Sequence, residues 1–156
     1  MPLLGRIVLN FLAGYLNASV AAIYVRNDKS SPLRRIATYG ASKEIEQAEQ
    51  SFDNTESLVG QTAYSNKLTV LENVPDNYLN INSGLGSAPP KNLVLLPIHH
   101  EGNVNGVIEI GFVNTINQRE LEFLALISPS IGSTVEASLY RRRLQDALEE
   151  TQQLNE

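Results

Sequence analysis

The 156-residue chain contains no cysteine. That excludes a disulfide framework, a thiolate zinc site, an iron–sulfur cluster and a thiol nucleophile, and it fits a cytosolic chain. Basic charge is also in short supply. Twelve Lys and Arg stand against 17 Asp and Glu, for a formal net charge of -5 and a pI near 5.1. A general nucleic-acid binder carries a basic footprint, so nucleic acid is not an expected partner. No apolar run approaches the roughly 20 residues that span a bilayer, so direct membrane insertion is not expected either. The stretch 7–16, followed by small residues at 18–22, invites a signal-peptide reading. Arg6 and Asn10 interrupt it and a strand-forming run follows, so it reads as a helix leading into a strand. There are two histidines, His99 and His100. With Glu101 they are three neighbours in a turn, a poor chelate, and neither lies near a strained serine turn. No metal site and no catalytic residues are expected, and the domain is not read as an enzyme in itself.

What is present is enough for one folded domain. A chain of this size buries roughly 70% of its unfolded surface, and 42% of its residues are hydrophobic. Leu4, Val8, Phe11, Leu12 and Tyr15 recur at helical spacing and end near Asn17. Val20 to Val25 and Leu33 to Tyr39 read as a hairpin with an extended polar turn. Lys43 to Gln50 is a short exposed helix at best, Leu58 to Ser65 a better one, and Leu68 to Leu71 a short strand. A long loop with Gly84, Gly86 and Pro89-Pro90 then leads into a second antiparallel pair. Its strands are Leu93 to Ile98 and Val104 to Phe112, with the turn at 99–103. Structureless loops of that length are usually functional lids or disordered segments. Lying between strands, this one is expected to cover one face of a sheet.

The last helix has a capping box, Asn117 with Glu120, and a hydrophobic staple, Ile116 with Leu121. Leu124, Ile127, Ile131, Val135 and Leu139 make its core-facing stripe. Pro129 cannot donate to the carbonyl of Ala125 and is expected to kink or split the helix, with Ser128 capping a fresh start. Beyond Leu139 the apolar residues thin out to Leu144 and Leu148. That end reads as a helix leaving the domain, and the chain stops in mid-pattern.

Strand alternation places Val107, Glu109 and Gly111 on one face and Ile108, Ile110 and Phe112 on the other. If the second set packs on the long helices, Glu109 faces the lid. Two readings of Glu109 stand: a pocket carboxylate that accepts from a ligand, from Tyr78 or from Ser83, or a structurally paired glutamate. Tyr78, Asn80, Asn82 and Ser83 also have two readings, as pocket groups or as turn formers. The glycines at 84 and 86 lead into prolines rather than a helix, so they serve turns rather than phosphate binding. The arginines at 141–143 have acidic residues close behind and read as a solvated helix face.

The order helix, hairpin, short helices, lid loop, second hairpin and exit helix resembles a GAF domain. The motifs are Ser57 to Ala63 (SLVGQTA), Leu71 to Pro75 (LENVP), Tyr78 to Leu85 (YLNINSGL), Pro89 to Pro97 and Gly106 to Ile110 (GVIEI). The resemblance spans Leu4 to Leu139 and is most similar to GAF domains of bacterial sensor histidine kinases. It implies an α+β fold with a central antiparallel sheet of five to six strands. The N- and C-terminal helices lie on one face, and the short helices and lid loop on the other. It implies a sensory domain at 1–139 and, at 140–156, an exit helix that begins a signalling coiled coil toward an output domain beyond this sequence.

The ligand-pocket candidates are Tyr78, Ile81, Ser83, Leu85 and Glu109. The dimer and signalling helix is assigned to Val135, Leu139, Leu144 and Leu148. Among family chemistries, a covalent bilin and sulfoxide reduction both need cysteine, and the cyclic-nucleotide signature is missing. Haem would have only the two turn histidines as axial ligands, so no cofactor is expected. Expected partners are an unknown small molecule or none, a second copy through the terminal helices, and neighbouring domains of a parent protein. The domain is expected in the cytoplasm, with a membrane-anchored parent allowed. Two other functions are a structural dimerisation module with a vestigial pocket, and a GAF regulator of a cyclase, a phosphatase or a transcription activator.

Overall fold

The computed structural model describes residues 1–41, 43, 51–52, 57–74, 81–83, 86–88 and 90–154. In chain order the elements are α1 (Pro2–Leu16), β1 (Val20–Val25), β2 (Leu33–Tyr39), β3 (Ser51–Phe52) and α2 (Leu58–Ser65). Then come β4 (Thr69–Glu72), β5 (Ile81–Ser83), β6 (Gly86–Ala88), β7 (Asn92–His100), β8 (Asn103–Phe112) and α3 (Gln118–Leu154). Six strands form one antiparallel sheet in the order β3-β2-β1-β8-β7-β4, while β5 and β6 pair separately. The helix expected within 43–50 lies outside the described residues except for Lys43.

The sheet divides two apolar cores. Ala21, Ile23 and Val25 of β1, Val94, Leu96 and Ile98 of β7, and Ile108, Ile110 and Phe112 of β8 pack on α1 and α3. Ala22, Tyr24, Leu95 and Val107, from the alternate positions, pack on Val59 and Ala63 of α2. Both terminal helices therefore share one face and the short helix takes the other, as the GAF resemblance implies.

Local signals explain most element ends. Asn17 and Asn66 end α1 and α2 in the left-handed region, at φ 56° and 52°, a conformation that asparagine tolerates better than most residues. The Ser57 hydroxyl accepts from the Gly60 N–H at 3.0 Å to start α2. At α3 the Asn117 N–H donates to Glu120 Oε1 at 3.1 Å and the Glu120 N–H to Asn117 Oδ1 at 2.8 Å, a closed capping box. The β7–β8 turn is tighter than expected. His99 and His100 belong to β7, leaving Glu101 and Gly102 as a two-residue turn with φ of 51° and 80°. Two positive φ values match the right-handed twist of the flanking strands.

Several expectations are corrected. Pro129 does not split the last helix, which is a single helical span through it. Ser128 caps nothing: it is buried, and its hydroxyl donates to the Pro97 carbonyl of β7 at 2.6 Å. The inward stripe of α3 runs through Ser128 and Gly132 as well as Leu124, Val135 and Leu139, while Ile127 and Ile131 flank it half-buried. Val135 and Leu139, assigned to a dimer helix, are 0% and 4% exposed against the sheet. They cannot meet a second chain without leaving the core. Leu144 and Leu148 are 47% and 61% exposed. The long loop is not wholly irregular either, since β5 and β6 pair on either side of Gly84-Leu85.

Candidate functional site

The face opposite the terminal helices carries a small set of polar groups on an apolar floor. Glu109 stands in register between Ala22 of β1 and Leu95 of β7, and is 7% exposed. One row further along, Tyr24 pairs with Val107, which makes Glu109 and Tyr24 diagonal neighbours on one face. Across β1, Tyr24 is opposite Arg35.

That last pairing depends on a bulge. Ile23 pairs with Ala37 and Tyr24 with Arg35, so Ile36 is extra. Ile36 and Ala37 both face the α1 side, and the bulge reverses the alternation beyond them. Arg35 thereby joins Tyr24, and Arg34 turns to the helix-bearing face.

The three groups are coupled electrostatically. Burial pushes the Tyr24 phenol well above its ordinary pKa, and the Glu109 carboxylate pushes it further. The charge of Arg35 and its side-chain hydrogen bond to Tyr24 oppose this only in part. A carboxylate, a protonated phenol and a guanidinium thus lie together on a surface otherwise built from Ala22, Leu95, Val107, Val59 and Ala63. Such a set can accept from, and donate to, a small polar ligand.

The Val74 N–H donates to the Lys91 carbonyl at 2.9 Å, and the Lys91 N–H to the Phe112 carbonyl at 2.9 Å, so both ends of the long loop meet at the end of β8. A Cβ at Gly111 would lie 3.0 Å from the Pro90 ring and 2.6 Å from Val20. The buried Pro90 therefore rests on the row Val20–Gly111–Leu93, and a side chain at 111 would lift it.

Of the five pocket candidates, Glu109 is on this face. Ile81 and Ser83 lie in β5, within the separate ribbon. Tyr78 and Leu85 are outside the described residues, as is Asn80. Tyr24 and Arg35 were missed. Tyr24 was legible as alternating with Ile23 and Val25, but its link to Arg35 is set by the bulge, which strict alternation does not show.

On the other face, three polar ties hold α3 to the sheet. Besides Ser128, Asn105 Nδ2 donates to the Gly132 carbonyl at 3.0 Å and to Glu136 Oε2 at 3.4 Å. Asn105 is again an extra residue, because Ile98 pairs with Gly106 and His99 with Val104. A Cβ on Gly132 would overlap the His99 carbonyl oxygen, so α3 lies directly on the β7 backbone there.

Comparison with known proteins agrees with this architecture. The sequence profile of the GAF domain matches residues 4–136, and the chain belongs to the GAF domain family. Among curated proteins none matches in sequence. Solved structures share the fold at low identity. The second GAF domain of DevS from Mycobacterium smegmatis superposes with a TM-score of 0.68 at 19% identity, over 92% of this chain and 99% of that one. The GAF domain of an Acinetobacter phosphoenolpyruvate-protein phosphotransferase gives 0.68 at 18%, over 86% and 80%. That of a two-component sensor histidine kinase from Bacillus halodurans gives 0.63 at 16%, over 86% and 96%. The family and fold make this a sensory or regulatory domain. Among the described residues, no helix is long and apolar enough to cross a membrane.

Proposed function

We propose that the chain is the sensory GAF domain of a bacterial two-component sensor histidine kinase, acting in the cytoplasm and passing its signal through α3. The observation that carries this reading is the course of that helix. Its last buried residue is Leu139, yet the helix continues to Leu154 with every residue from 140 exposed. An isolated helix has little reason to persist in water. Ala137, Tyr140, Leu144, Ala147, Thr151 and Leu154 follow the alternating three- and four-residue spacing of a coiled-coil seam, with Leu148 beside it. A second copy supplies the partner. The outer face of α1 extends the apolar surface through Leu3, Ile7, Phe11 and Tyr15, all more than half exposed. Tyr15 stacks on Phe123 of α3 at 4.5 Å between ring centroids, joining the two helices into one surface.

In this mechanism a ligand at Glu109, Tyr24 and Arg35 favours one position of the sheet against α3. The ties at Ser128 and Asn105 carry the shift into the exit helix. Such a ligand must bind the two states with different free energies. A second reading, a structural dimerisation module without a ligand, draws on the mutual coupling of Tyr24, Arg35 and Glu109, which already engage one another.

The variant Leu144→Asp with Leu148→Asp tests the dimer, because both residues are exposed and folding is spared. Light scattering should give monomer mass at an unchanged melting temperature, whereas a persistent dimer would reject the seam. Native mass spectrometry of the purified chain, with Glu109→Gln as control, should show a co-purified small molecule lost in the variant. No retained molecule would favour the structural reading.

A further inference from the structure

We propose that a second site, for a small phosphorylated anion, lies on the helix-bearing face where α3 leaves the domain. This goes beyond the reading above, because it uses the side of the sheet away from Glu109. A cavity of about 360 Å3 opens between the β1–β2 hairpin and α3, and its lining includes Arg26, Arg34, Arg142 and Arg143. These are four of the eight arginines in a chain of net charge -5, so the cavity runs against the overall charge.

Their positions follow from the fold. Arg26 directly follows β1 and is 5% exposed, with its Nε donating to the Val104 carbonyl at 3.0 Å. Arg34 reaches this side because of the bulge at Ile36. Arg142 and Arg143 lie just past Leu139, which joins Ile36 in the apolar part of the wall.

The nearby carboxylates do not balance this charge. Glu136 pairs with Arg143 at 3.0 Å. Asp28 interacts with Arg26, but one of its oxygens already accepts from the Ser30 and Ser31 N–H groups at 2.9 Å each and from both hydroxyls. Asp146 lies on the lining itself. Arg34 and Arg142 form no ion pair among the described residues.

Guanidinium groups bind phosphate through paired N–H donors in a planar fork. The cavity is at the small end of ligand pockets, which run from about 300 to 1,000 Å3. It suits a phosphorylated metabolite of mononucleotide size or smaller, with the apolar wall against its non-ionic part. Two of the arginines stand on the rigid hairpin and two on the exposed start of the exit helix. An anion between them would replace repulsion with bridging contacts and hold that helix against the sheet. The site would thus control the same output as the Glu109 face, from the opposite side.

Calorimetric titration of the full chain with inorganic pyrophosphate tests this, with sodium chloride as the ionic-strength control. Saturable one-to-one binding is expected. Arg34→Gln with Arg142→Gln, both exposed positions, should weaken it about tenfold or more, since two charge-assisted contacts are lost. The melting temperature should not change. Amide exchange across 140–154 should slow when pyrophosphate is added to wild type and not when it is added to the variant. The Leu144→Asp/Leu148→Asp chain should bind pyrophosphate like wild type, which separates this site from the dimer. Equal affinity in the arginine variant, or no binding by wild type, would overturn the proposal. So would binding of an oligoglutamate peptide without pyrophosphate, because the cleft would then serve an acidic segment.

Discussion

At the scale of single residues, Tyr24 and Gly132 show how position overrides chemical type. Tyr24 is a strand-forming aromatic by sequence, and in the fold its hydroxyl lies beside the Glu109 carboxylate, nearly out of reach of water. The phenol is held protonated above the ordinary tyrosine range near 10. The folded state therefore keeps a proton that the unfolded chain releases, so the contribution to stability is complete below about pH 10 and declines as pH rises beyond it. An alkaline absorbance titration should show one of the six tyrosines ionising only with unfolding, and Tyr24→Phe should remove that late step. Observing the same step in the variant would assign it elsewhere. Gly132 is needed for closeness, since any Cβ there meets the His99 carbonyl. Gly132→Ala should push α3 off β7 and lower stability in urea by about 1–3 kcal/mol, the usual range for overpacking.

Elements are where local signals and tertiary contacts can be told apart. The capping box at Asn117 and Glu120 is a purely local device, readable from spacing alone. Asn117→Ala should cost about 1 kcal/mol by denaturant melting and leave the other elements as they are. The behaviour of α3 at Pro129 was not readable in the same way. Proline removes one intrahelical bond, but the next turns are anchored by Ser128 on Pro97 and by Asn105 on Gly132. Those contacts join residues about thirty positions apart in sequence. Ser128→Ala leaves the Pro97 carbonyl short of a buried donor, so it should lose about 1–3 kcal/mol. Combined with Asn105→Ala, the loss should depart from additivity, because both ties hold the same helix to the same pair of strands. Strict additivity would mean that the two ends of the contact act independently.

At the scale of the whole molecule, one helix serves two environments, with its boundary at Leu139. Leu139→Asp places a carboxylate in the core and should cost upward of about 4 kcal/mol, shown as a large fall in melting temperature. Leu148→Asp, nine residues on and exposed, should leave melting unchanged and act on self-association alone. If both variants melt like wild type, the assignment of Leu139 to the core fails. Under the proposed function such a helix reports on the domain because its first half is packed on the sheet while its second half is exposed.

The layering of the fold was legible from alternation along β1, β7 and β8, from the apolar periodicity of α1, and from the polar ends of each element. These depend on residue spacing within one element, which the chain states directly. Glu109 was placed on the correct face by the same rule. Its link through Tyr24 to Arg35, the division of Arg34 from Arg35 between two faces, and the aim of Asn105 at α3 were not legible. Each depends on a bulge, where one unpaired residue reverses which way the following side chains point. Whether a strand takes up such a residue is decided by the strands and helices packed against it, so that choice exists only in the assembled structure.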